Sequence, residues 1–222
     1  MARLPNYYRW MYGYVTKYLT GTVVDLGCGS GLGIRHYADR VQEVYAVDFN
    51  ADLLTQIDRH ITGKPIATIR ADLINEWDKL SDIAADAVLM MDLVEHFEDD
   101  VQLLNNAAGI LKPKGHIVFK VPAQSSLYGE MDRASGHFRR YDLADIKKLA
   151  HKAGLQVRAI HTMNPLGGFT YRFKKDKKKN FSLTFSDFQL SLINVLIPLI
   201  RLFDYLPFLP AQSYIVVLVK NS

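Results

Sequence analysis

Short apolar runs, most closed by an acid or glycine, alternate through the first 160 positions with segments whose apolar residues return every three or four places. The runs are rich in Val and Ile and predict strands at Val23–Leu26, Val44–Val47, Ile66–Ile69, Asp86–Met91, His116–Val121, Leu155–His161 and Tyr214–Val219. Between them the helical period predicts an aromatic-rich helix over Tyr7–Leu19, stopped by Gly21, and a helical segment over Ile34–Arg40. Asn50 is placed to cap a helix running through His60, its side-chain oxygen accepting a free first-turn N–H. A further helix falls near Val101–Leu111, and another runs from Asp142 to Ala153 with Gly154 as its stop. Lys112-Pro113-Lys114-Gly115 reads as a turn. Strands and helices alternating at this spacing imply a mostly parallel sheet with helices on both faces. Unbroken hydrophobicity in the first and fourth strands suits burial on both sides.

A chain of 222 residues suggests one domain, with residues 1–20 as an N-terminal helix and 164–210 as an insertion before the last strand. Cys28 is the only cysteine, which excludes a disulfide framework. Met1–Trp10 lacks the apolar run of a secretory signal, so a cytoplasmic, unprocessed protein is expected. The net charge of +4 hides a division. Up to Leu111 there are 9 Lys/Arg against 16 Asp/Glu, and beyond it 18 against 7. The acidic half would repel phosphate, so nucleic acid is not an expected partner.

The densest chemistry lies in Val23–Gly33, VVDLGCGSGLG. A strand that runs into Gly27, Gly29 and Gly31 and then toward a helix lets the backbone turn sharply and lie against a ligand. Asp25, Asp48 and Asp72 stand at or just beside the C-terminal ends of the first three strands, and in a parallel sheet these ends share one edge. A dinucleotide fingerprint requires a glycine five places after its first; from Gly27 that place is Leu32, and from Gly29 it is Ile34.

These segments resemble the class I S-adenosylmethionine-dependent methyltransferases. VVDLGCGSG is similar to their first motif, VYAVDF to their second-strand acid, and RADL to the segment that meets adenine; DAVLMMDLVEHFEDD and LKPKGHIVFKVP are similar to their fourth and fifth strands. The resemblance implies a Rossmann-like seven-stranded sheet whose last strand is antiparallel, with S-adenosyl-L-methionine as cofactor. It assigns Asp25, Gly27, Cys28, Gly29 and Gly31 to the methionine end. Asp48 and Phe49 go to the ribose, Asp72 and Leu73 to adenine, and Met91 and Asp92 to the crevice wall. Cys28 reads as a small loop residue rather than a nucleophile.

Methyl transfer from a sulfonium needs alignment first, and a general base only for a hydroxyl, phenol or protonated amine. Tyr128–Tyr141, YGEMDRASGHFRRY, is the candidate acceptor segment. Similar segments occur in family members that modify small molecules or envelope sugars and lipids. His137 could take a proton, Tyr141 offers a hydroxyl, and Arg139 and Arg140 could clamp a phosphate or carboxylate. The competing reading is an internal network in which Asp132 pairs an arginine and His137 fills a hydrogen-bond slot. His96 is a further candidate for touching the acceptor. The other histidines (His36, His60, His116, His151 and His161) show no ligand spacing, so no metal is expected.

The insertion carries a basic run, Lys174–Lys179, and an apolar segment, Phe188–Leu209, interrupted by Pro198, Arg201, Asp204 and Pro207. Asp187, Ser191, Asn194, Pro198 and Arg201 form one narrow polar stripe, which predicts a mostly buried helix, either a lid over the substrate or a surface packed against a partner. A basic cluster beside an apolar helix also describes a peripheral membrane element. The expected acceptor is a small or lipid-linked molecule, with the basic half favouring an anionic one.

Overall fold

The computed structural model describes residues 4–57, 66–172, 187–206, 209 and 211–221. Seven strands, β1 (Thr22–Leu26), β2 (Glu43–Asp48), β3 (Ile66–Arg70), β4 (Ala85–Met91), β5 (Leu111–Pro122), β6 (Leu155–Met163) and β7 (Ser213–Lys220), form one sheet in the order β3-β2-β1-β4-β5-β7-β6. The pairs among β1 to β5 are parallel, and both pairs made by β7 are antiparallel. Only β7 therefore runs against the rest, as the resemblance implies.

Successive side chains of a strand point to opposite faces. In β4, Val88 and Met90 enter one apolar cluster while Ala87 and Leu89 enter the other. The first cluster is closed by α3 (Asp100–Gly109) and α5 (Leu143–Lys152), through Leu103, Leu104, Ile146 and Leu149. The second is closed by α1 (Pro5–Val15), α2 (Ala51–Thr55) and α7 (Asp187–Ile200), through Trp10, Val15, Leu54 and Ile197. The described residues also form α4 (Glu130–Ala134) and α6 (Pro165–Arg172).

Asn50 caps α2 as expected, accepting from the N–H groups of Asp52 and Leu53, but the helix ends at Thr55 and does not run on toward His60. His60 and Lys174–Lys179 lie outside the described residues. Ile34–Arg40 is two 3-10 turns, Ile34–His36 and Ala38–Arg40, rather than one helix. Here Tyr8 and Tyr12 of α1 stack on His36 at 5.7 and 5.2 Å, and a Cβ on Gly33 would fall 1.9 Å from the Tyr12 hydroxyl. Lys112–Gly115 is absorbed into β5, where Lys114 takes a left-handed φ of 64° and the register with β4 shifts.

The insertion is less buried than predicted: Ser191, Pro198 and Arg201 of its polar stripe are exposed, but one member turns in. Asn194 faces inward, its carboxamide oxygen accepting from the Asn6 backbone N–H at 2.8 Å and its carbonyl from the Asn6 side chain at 2.9 Å. Asp204 is likewise drawn in by Trp10 Nε1 and the Tyr14 hydroxyl, each at 2.7 Å. The outer face of α7 and the turn after it then exposes Leu192, Val195, Leu196, Leu199 and Leu202. Among the described residues no helix is long and apolar enough to cross a membrane.

Candidate functional site

The C-terminal ends of β1, β2 and β3 build a crevice. Gly27, Gly29 and Gly31 all adopt positive φ (69°, 57° and 73°), a conformation that glycine alone takes without steric cost. A Cβ on Gly27 would lie 2.8 Å from Leu93, whereas one on Gly29 would meet nothing within 4 Å, so the crevice lies open beside Gly29. The loop holds its shape through its own N–H groups: those of Gly27 and Cys28 donate to the Val47 carbonyl at 2.8 and 3.1 Å. The Cys28 thiol is pushed up by burial, which keeps it protonated.

Asp48 is buried and accepts from the backbone N–H groups of Gly29 at 2.8 Å and Asn50 at 2.9 Å. It thus fastens the glycine loop to the start of α2. Asp25 is buried beneath the loop and accepts from the Tyr37 hydroxyl at 2.7 Å. Burial raises its pKa to about 7, against the lowering effect of that hydrogen bond. Asp72 is occupied in its own turn, accepting from Ile74 N–H at 2.9 Å and the Asn75 carboxamide at 3.1 Å. Leu73 is buried in the core rather than in the crevice. Phe49 and Ile74 instead leave 70% and 74% of their surface in solvent, one just after β2 and one in the turn after β3. Ile74 was not singled out from sequence; an apolar residue one place after a buried Leu in a polar turn was its only signal.

A cavity of about 520 Å³ opens at the ends of β4 and β5. One wall is polar: Asp92, Glu95, His96, Lys120, His137 and Arg140. The other comprises Trp10 of α1 with Leu190, Ile193, Ile197 and Ile200 of α7. Its polar cations are already matched. Lys120, paired in register with Met91, is buried and bonds Asp92, which sits at φ 55° just past β4. Arg140 gives its Nε to both Asp132 oxygens at 2.9 Å and lies 4.0 Å from the centre of the Tyr171 ring.

Asp132 is the hub of this wall. At 1% exposure it also accepts from Gly129 N–H at 3.0 Å and the Tyr171 hydroxyl at 2.9 Å, and lies 3.2 Å from His137 Nδ1. Bonds from His137 and Arg140 outweigh its burial and hold its carboxyl well below the usual carboxylate range. The segment before β6 reaches β4 because Phe138 N–H donates to the Glu95 carbonyl at 2.8 Å. His137 thereby meets His96 edge-on, with ring centres 4.8 Å apart. Glu95, also missed from sequence, is 1% exposed, and burial with Asp92 nearby raises its pKa to about 8.

Two predicted residues are spent elsewhere. The Tyr141 hydroxyl donates to buried Asp100 at 2.9 Å and does not line the cavity, so the structure gives it no place as a catalytic group. Arg139 turns to the same Asp100 at 3.2 Å and to the Glu98 carbonyl, away from the cavity. Both corrections follow from one buried carboxylate that needed partners. Arg140 stays on the wall but within the Asp132 network, as the competing reading held.

A family profile described as a methyltransferase domain matches residues 15–160. A methyltransferase of uncharacterised role from Mycobacterium tuberculosis is 32% identical over 96 residues, covering 43% of this chain and 48% of that protein, so the match spans about half of the relative's length. A ubiquinone biosynthesis O-methyltransferase from Aliivibrio fischeri is 26% identical over 176 residues, covering 72% and 74%. The solved structure of an S-adenosylmethionine-dependent methyltransferase from Archaeoglobus fulgidus superposes with a TM-score of 0.62 over 99% of this chain and 95% of its own, at 20% identity, which is a likeness of fold. With the profile covering well over half of its length, the chain belongs to the methyltransferase domain family.

Proposed function

We propose that the protein transfers a methyl group from S-adenosyl-L-methionine to an oxygen or nitrogen of an amphiphilic small molecule. The observation that carries this is the two-sided cavity at the ends of β4 and β5, polar on the strand side and apolar on the α1 and α7 side. Its volume of about 520 Å³ suits a ring with an alkyl or isoprenoid tail. The ubiquinone biosynthesis relative, an O-methyltransferase, supports the same choice.

The residues of the crevice fit the cofactor. Gly29 leaves room for backbone approach, Asp48 has lone pairs for ribose hydroxyls, and exposed Phe49 and Ile74 flank the place of a planar base. Bound there, the sulfonium supplies an electrophilic methyl whose departure needs no proton. The chain's own task is alignment and the acceptor's proton. Asp25 balances the positive charge of the methionine end, Met91 and Asp92 border the acceptor, and the acceptor atom meets His96 and His137. The acceptor loses its proton at His137, whose ring Asp132 holds in place. Because Lys120 and Arg140 are already paired with carboxylates, a neutral polar head suits the wall better than an anionic one. The sequence's division of charge therefore lends no weight to an anionic acceptor. The test is S-adenosylhomocysteine release over a panel of phenols, catechols and amines with and without alkyl tails. Turnover whose KM falls with tail length supports the reading, and no product from any member overturns it.

Asp25 adds a pH signature. A cationic ligand favours its ionised form, so binding below pH 7 must expel a proton. Cofactor affinity is expected to rise about tenfold per pH unit up to about pH 7 and then level off. Calorimetry in buffers of different ionisation enthalpy checks this, and Asp25→Asn should flatten the curve.

The exposed apolar face of α7 supports a second element of the reading, contact with a lipid surface from which a tailed acceptor enters. The basic run Lys174–Lys179 just precedes that helix in sequence. Sedimentation with anionic liposomes, weakened by Val195→Glu, is the check; vesicles that bring down no protein contradict it.

A further inference from the structure

Three groups on the polar wall share a property the acceptor reading does not use. Glu95, His96 and His137 each present a ligand-type atom, and these atoms all lie within 4.8 Å of one another. No spacing along the chain points to this, because the two histidines stand 41 positions apart and tertiary hydrogen bonds, among them Phe138 N–H to the Glu95 carbonyl and Arg139 to the Glu98 carbonyl, bring their segments together. At zinc-like bond lengths, donors around a tetrahedral ion stand about 3.3 Å apart, so loading shortens the separations among the three by at most about 1.5 Å. Side-chain torsions supply a movement of that size.

Two independent observations point to a ligand here. Glu95 Oε2 is buried and has no hydrogen-bond partner among the described residues. A buried carboxyl oxygen without a partner is costly, and a cation that displaces the carboxyl proton is one of the few groups that offsets the cost. The second lies behind His137. Its Nδ1 faces Asp132 at 3.2 Å, and Asp132 is fixed in turn by Arg140, Tyr171 and Gly129. With Nδ1–H donating there, the lone pair stands on Nε2. A carboxylate behind a histidine is the arrangement that orients metal-bound imidazoles. The His96 ring is held by the main chain of Gly136.

We propose that Glu95, His96 and His137 bind a divalent transition-metal cation, with the remaining coordination positions open to the cavity. Two imidazoles and one carboxylate suit a zinc-like ion better than magnesium, which prefers oxygen ligands throughout. The neighbouring charges leave room for it, because Asp92 is paired with Lys120 and Asp132 with Arg140. An acceptor hydroxyl in an open position would ionise on the cation, its proton leaving to solvent, with His137 acting as ligand instead of base. That role rests on the acceptor reading; the binding does not.

The test uses untagged protein stripped with a chelator, without cofactor or acceptor. Cobalt(II) is followed by visible absorption, and zinc by competition with a chromophoric chelator. One equivalent is expected to bind. His96→Ala and His137→Ala should each weaken binding by at least about tenfold, as should Glu95→Gln, which keeps its shape. His151→Ala, on the exposed face of α5, should bind as the parent does. Absence of stoichiometric binding overturns the proposal, as does unchanged affinity in the three site variants with native circular dichroism. Methyl transfer is not part of the readout. Failure here therefore leaves the methyltransferase reading standing, and failure of cofactor binding leaves this one.

Discussion

Asp132→Ala is expected to lower the free energy of unfolding by about 3–5 kcal/mol, the usual cost of removing one partner of a buried ion pair. The substitution would leave the Arg140 guanidinium, 6% exposed, with one carbonyl as its remaining hydrogen-bond partner among the described residues, the Ala123 oxygen at 3.2 Å. It would also free the Tyr171 hydroxyl, and with it the link between α4 and α6. Asp132→Asn keeps the volume and one acceptor and should cost less. Urea denaturation measures both. The depressed pKa of Asp132 fixes the sign of the pH dependence. The folded protein prefers the ionised carboxyl, so this stabilisation is complete above the unfolded pKa of about 3.9 and is lost as the pH falls below it. The parent should therefore lose stability on the acid side more steeply than Asp132→Asn. Equal acid slopes would remove Asp132 from the centre of the wall.

The second large effect belongs to Asp48. Asp48→Ala is expected to weaken S-adenosyl-L-methionine binding by about ten- to a hundredfold, the equivalent of one or two charge-assisted hydrogen bonds. Two losses combine in this figure: acceptors for the ribose hydroxyls, and the tie between the carboxylate and the Gly29 and Asn50 N–H groups that shapes the loop. Asp48→Asn separates them. It keeps an acceptor for one N–H and should fall between parent and alanine variant. An unchanged dissociation constant in Asp48→Ala would contradict the assignment.

The glycine loop and its acids were legible because a parallel sheet gathers its strand ends on one edge, and the acids stand there in sequence order. The polar wall was less so. Tyr141 and Arg139 looked available only while Asp100, some 40 residues away, was out of sight. His96 and His137 read as two separate acceptor candidates because they stand far apart in sequence, and a turn through Gly136 brings them together in space. Lys120 carried a usable signal, a single lysine within the apolar run IVFKV, and Glu95 lay next to a residue already considered. The α7 stripe misled for another reason. Ser191, Pro198 and Arg201 stay outward, but Asn6 draws Asn194 in, and a helical period does not show that the apolar residues beside the stripe also lie in solvent.

Titration calorimetry with S-adenosyl-L-methionine is the decisive measurement. One site of micromolar affinity is expected, weakened by Asp48→Ala and strengthened as the pH rises toward 7. An absence of binding heat across temperatures, with clear binding of NADH to the same protein, would contradict the cofactor assignment.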